Sequence, residues 1–86
     1  MAALTPTRVF SEGSANRTCL YRVLNVTSAD TISVSTEFSR VVGAAALDST
    51  RSVAYFAPSI SGTTLTLTEA SMANDDVYVL VWGPSA

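Results

Sequence analysis

Apolar and polar residues alternate with a period of two through most of this chain, which predicts strands. Leu65 and Leu67 alternate with Thr64, Thr66 and Thr68 in a strand over residues 63–68, which Ser59-Ile60-Ser61-Gly62 leads into. Ile32 and Val34 alternate with Thr31, Ser33 and Ser35 after Thr27-Ser28-Ala29-Asp30, where Asp30 can close an Asx-type turn. Each of these runs has one apolar and one hydroxyl face. Two further runs are apolar on both sides. In residues 18–26, Cys19, Tyr21 and Val23 share one face, and Leu20, Leu24 and Val26 share the other with Arg22. In residues 77–82, Val77, Val79 and Val81 lie on one face and Tyr78, Leu80 and Trp82 on the other. A strand of that kind is central in a sandwich or lies under a partner. Residues 18–26 and 31–35 read as a hairpin.

Residues 36–47 fit two patterns. Phe38, Val41, Val42, Ala45 and Ala46 make a helical stripe that Thr36 could cap. Gly43 interrupts that helix at a cost of about 1 kcal/mol relative to Ala, and every other segment is strand-like. The reading adopted is a short turn at Glu37-Phe38-Ser39, then a strand over residues 40–47 with Gly43 at a bulge or close contact. Residues 7–10 and 52–57 complete the strands, the latter stopped by Pro58, and residues 48–51 and 69–76 are loops. The spacing of turns predicts one all-β domain over residues 7–86, an antiparallel sandwich or flattened barrel of about six or seven strands. Residues 1–6 read as an extended N-terminal arm.

Composition adds a constraint. The 86 residues are 48% hydrophobic and only 14% charged, against a usual charged share of about 25%. A domain this small hides apolar surface poorly, so the excess points to a covered face, most simply self-association. The net charge is −2, and the five cations are scattered arginines. Nothing here makes a footprint for nucleic acid or an anionic membrane. Residues 1–3 carry neither the charged nor the apolar region of a signal peptide, so no export is expected. Asn16-Arg17-Thr18 and Asn25-Val26-Thr27 match the glycosylation sequon and read as chance matches without export.

Candidate chemistry is sparse. Without histidine, no Ser-His-Asp or Cys-His arrangement can form. Cys19 reads as a buried hydrophobe with no base to activate it. The seven carboxylates fall mostly in turns and read as turn chemistry and solubility. Asp75-Asp76 beside Asn74 offers oxygen ligands but lacks the spacing of a calcium loop. No catalytic residue, metal site or cofactor is expected. Tyr78 and Trp82 could pack against a partner or serve as a sugar-stacking platform.

Four segments carry a resemblance: residues 30–34, 38–42, 59–68 and 75–83. Together they resemble a loose group of small β-sandwich virion proteins of tailed bacteriophages. The resemblance implies a non-enzymatic capsid decoration (cement) subunit on the surface of the virion. Its partners would be the major capsid protein and copies of itself, as a trimer first and a dimer next, and it would stabilise the phage head after assembly in the host cytoplasm. The interface expected on this basis is Tyr78, Leu80, Trp82 and Leu4, with residues 1–6 ordering on contact. The alternative is a carbohydrate- or receptor-binding sandwich of a phage tail or fibre, using Tyr78, Trp82 or Tyr55.

Overall fold

Two β-sheets pack face to face around the residues that the period-two pattern assigns inward. The computed structural model describes residues 2–50, 54–70 and 72–86. Nine strands lie in chain order among them: β1 (Ala3–Leu4), β2 (Thr7–Glu12), β3 (Asn16–Val26), β4 (Asp30–Ser33), β5 (Gly43–Asp48), β6 (Ala54–Phe56), β7 (Ser59–Ser61), β8 (Thr64–Leu67) and β9 (Asp75–Pro84). One sheet has the order β1-β4-β8-β7 and the other β2-β3-β9-β5-β6. The all-β sandwich is therefore as expected, and there is no helix among the described residues. The expected strand over residues 52–57 appears as β6, with Ser52 and Val53 outside the described residues.

The core contains Cys19, Tyr21 and Val23 from β3, Val77, Val79 and Val81 from β9, and Ile32, Leu65 and Leu67 from the facing sheet. β9 is the middle strand of its sheet, which accounts for one of its apolar faces. Fully burying one such aliphatic side chain stabilises the fold by about 1.5–3 kcal/mol.

Four expectations need correction. First, β3 and β4 do not form a hairpin: β3 pairs with β2 and β9, and β4 with β1 and β8. The chain crosses between sheets at this point. Asn25 (φ 58°) and Ala29 (φ 76°) adopt left-handed conformations, and a register shift separates Val23 from Val26. Second, that irregularity turns Val26 into the core, not onto the outer face with Leu20 and Leu24. Third, residues 40–42 are not strand. β5 begins at Gly43, and the preceding residues wedge Phe38 and Val41 between the sheets. The turn before them is real, because Glu37 N–H and Phe38 N–H both donate to Val34 C=O at 3.1 and 3.0 Å. Fourth, the lead-in is built into a sheet. Ala3 and Leu4 run parallel to Thr31 and Ile32, and Thr31 N–H donates to Ala2 C=O at 2.8 Å. With β7, which forms a hairpin on β8 around Gly62 and Thr63, β1 takes the count beyond six or seven.

The carboxylates also differ from a purely solvating role. Asp30, Asp48 and Asp75 are buried at the end of the sandwich where β3 and β5 finish and β4 and β9 begin. Asp30 accepts from Thr27 N–H at 2.9 Å and Ala2 N–H at 2.7 Å. Asp48 accepts from Thr50 N–H at 3.1 Å. Buried backbone donors at loop ends need partners of this kind, so turn chemistry is retained but in the interior.

Candidate functional site

The pleat sends successive side chains to opposite faces, so the register of each sheet fixes the composition of its outer face. On the four-stranded sheet, one outer row is Ala3, Thr31, Thr66 and Ser59, and the next is Ser33, Thr64 and Ser61. That face is hydroxylic almost throughout. The five-stranded sheet differs. One row across it is Phe10, Leu20, Leu80 and Ala45. The adjacent row is Arg22, Tyr78, Leu47 and Tyr55. On the other side of the first row stand Glu12, Thr18, Trp82 and Gly43.

Three of the four expected interface residues therefore come together: Tyr78, Leu80 and Trp82 share this outer face. Leu4 does not join them. It sits in the opposite sheet and packs against the core, because β1 pairs with β4. The sequence pattern missed Phe10, Leu20, Ala45 and Leu47, which complete the face from three other strands. Three of the large exposed apolar side chains are here: Phe10 at 45%, Trp82 at 39% and Tyr55 at 81% exposure. A hollow of about 260 Å³ lies on it, lined by Leu20, Ala45, Leu47, Tyr55, Tyr78 and Leu80 together with Ala46.

Trp82 has a second setting. Its indole covers Gly43, where any Cβ would overlap the ring, so the absence of a side chain at Gly43 lets the ring lie against the sheet. Beside it is an open concavity of about 380 Å³, lined by Asn16, Arg17, Thr18, Val42, Trp82 and Gly83. Tyr78, also proposed for a sugar platform, is not among its lining residues.

Charge on the apolar face is small: one ion pair, and Glu12 at its rim on β2. Arg22 and Asp76 form an ion pair at 3.3 Å. Asp75 points inward and Asp76 outward, so the two cannot chelate one ion together. Among the described residues no three carboxylate, thiol or imidazole groups converge as a metal site, and no helix is long and apolar enough to cross a membrane.

A second polar cluster, which the sequence pattern did not indicate, closes the open flank of the sandwich. Glu37 accepts from Arg8 at 2.7 Å and also from Arg17. Arg17 donates further to Ser11 and Ser85 at 3.3 Å each. Burial pushes the Glu37 carboxyl upward, but hydrogen bonds and charge from the two arginines outweigh it and hold the group below its ordinary value of 4.5. Beneath lies Tyr21, whose phenol is pushed above its ordinary value by burial first and then by the neighbouring Cys19 thiol. Cys19 is fully buried, as the sequence predicts. This cluster joins β2, β3, the β4–β5 link and residues 84–86, and it offers neither an open cleft nor an activated nucleophile.

No family model matches the chain, and no match was found among curated proteins or solved structures.

Proposed function

We propose that this chain is a structural subunit of a multi-copy assembly, a decoration (cement) protein of a phage head that acts by covering surface. The observation that supports this reading is the contrast between its two outer faces. One is paved with Ser and Thr and suits water. The other presents Phe10, Leu20, Leu47, Tyr78, Leu80 and Trp82, a grouping that small monomers rarely leave exposed. Burial of that area holds the parts of an assembly together without a reaction, and many equivalent sites on a shell multiply the attachment of each subunit. The virion surface and the major capsid protein enter through the sequence resemblance. The test is co-sedimentation of purified protein with phage heads stripped of their accessory proteins. Binding that saturates at a fixed ratio to capsid subunits and raises the thermal transition of the shell is expected. Heads that sediment without the protein would reject the reading.

A carbohydrate-binding reading has one observation in its favour. The concavity beside Trp82 sets an aromatic ring near the amide of Asn16 and the hydroxyl of Thr18. Such a site would stack a sugar ring on the indole. Titration with soluble oligosaccharides, followed by the fluorescence of Trp82, tests it, and an unchanged spectrum across the panel rejects it.

A further inference from the structure

We infer that the apolar outer face of the five-stranded sheet is covered by the same face of a second copy, giving a two-fold dimer with four stacked sheets. This rests on reading that face as one built to be covered, and it names the occupant.

Three observations select a second copy. The first is charge. The central rows carry one ion pair, Arg22 with Asp76 within one chain, and the remaining charge, Glu12, stands opposite Thr18 on the edge strand β2. At that rim a carboxylate stays in water when the central rows are covered. The central rows then leave no unmatched ion to bury, the costly outcome in a dry interface. The second is composition. The central row, from Phe10 through Leu20 and Leu80 to Ala45, has no polar side chain. Interfaces between permanently paired copies are of this apolar type, whereas interfaces between separately stable partners are as polar as ordinary surface.

The third is area. Five strands about 4.8 Å apart, the short β6 offset by the longer β3 and β9 to an average of about 20 Å, project a footprint of about 500 Å². Accessible area over projecting side chains exceeds its projection, which brings the face toward the ~800 Å² per partner of a standard interface. Two sheets can stack at about 10 Å in this way. Symmetry also follows. A single flat patch that meets itself is isologous and closes as a dimer, whereas a trimer needs two different patches that complement each other. The opposite outer face, Thr and Ser almost throughout, does not supply the second apolar patch. The dimer therefore replaces the trimer as the expected state.

The experiment is the mass of the purified full chain by sedimentation and light scattering over a wide concentration range, with folding followed by circular dichroism. Wild type should run as a dimer. Leu80→Glu, or Phe10→Lys should the first fail to fold, should halve the mass while keeping the sheet spectrum. Thr66→Glu on the opposite face should remain a dimer. A monomeric wild type overturns the inference, as does a dimer that survives folded Leu80→Glu or Phe10→Lys. The same samples are then sedimented with phage heads. A monomer that still binds heads removes the dimer and leaves the proposed function. A dimer that ignores heads removes the proposed function and leaves the dimer.

Discussion

Individual residues show how little slack the sandwich has. Ala29 holds φ at 76° in the turn closed by Asp30 N–H donating to Thr27 C=O at 3.0 Å. The third position of such a turn favours glycine. Left-handed backbone costs a residue with a Cβ about 1–2 kcal/mol, and the greater freedom of unfolded glycine returns about half of that. Ala29→Gly should therefore raise stability by roughly 0.5–1 kcal/mol, read from the urea midpoint, and an unchanged or lower midpoint contradicts it. Gly83 and Gly43 make a contrasting pair. A Cβ at Gly83 would overlap the Arg40 carbonyl, which is backbone, whereas one at Gly43 would overlap only the indole of Trp82. The ring is partly exposed and can swing outward. Gly83→Ala should cost about 1–3 kcal/mol. Gly43→Ala should cost less but shift the fluorescence of the single tryptophan. Equal costs with an unmoved spectrum would contradict this account.

At the scale of elements, the alternating pattern reported the inward side of β4 and β8, which follow it, and sorted β3 and β9 into two apolar faces each without naming the inner one. It could not report which strand pairs with which. Ile32 would face apolar neighbours equally well beside β3 in one sheet or across the core from it, so the β3–β4 hairpin was a natural expectation and the crossover was not. The expected docking residues show the same limit. The alternation of Tyr78, Leu80 and Trp82 was legible because one strand carries all three. Phe10, Leu20 and Leu47 joined them only through register between strands distant in sequence. β1 was illegible for another reason: two residues are too few to show a period. Its structure changes what truncation should do. Deleting residues 1–4 strips the edge of β4 and removes Ala2 N–H from buried Asp30. The truncated chain should unfold at a lower temperature than the full chain, as followed by circular dichroism. An unaltered transition would restore the picture of a loose arm.

Across the whole molecule, two anchored carboxylates, Asp30 and Glu37, contribute to the response to acid. Asp30 lies below its ordinary 3.8 because the Thr27 amide, foremost, holds its charged form against the opposing effect of burial, with Ala2 assisting. Glu37 lies below 4.5 because Arg8 and Arg17 overcome its burial. For each, the folded value is depressed. The stability they add is complete above the ordinary carboxylate values and is lost as pH falls through the lower folded values. The urea midpoint should thus be level near neutrality and decline below about pH 4.5. Glu37→Gln should flatten part of that decline, and a wild-type midpoint that rises in acid would contradict the assignment.

The link between β4 and β5 has a mechanical consequence. Val41 N–H bonds to Gly62 C=O in the turn of one sheet at 3.3 Å, and the next amide, Val42 N–H, bonds to Trp82 C=O in the other at 2.9 Å. Adjacent amides thus rivet the two layers, with Phe38 and Val41 wedged between them. Shear between the layers must break these bonds and drag a buried aromatic ring through the core. A tug applied at the apolar face is therefore shared by both layers, and the domain resists as one block instead of delaminating.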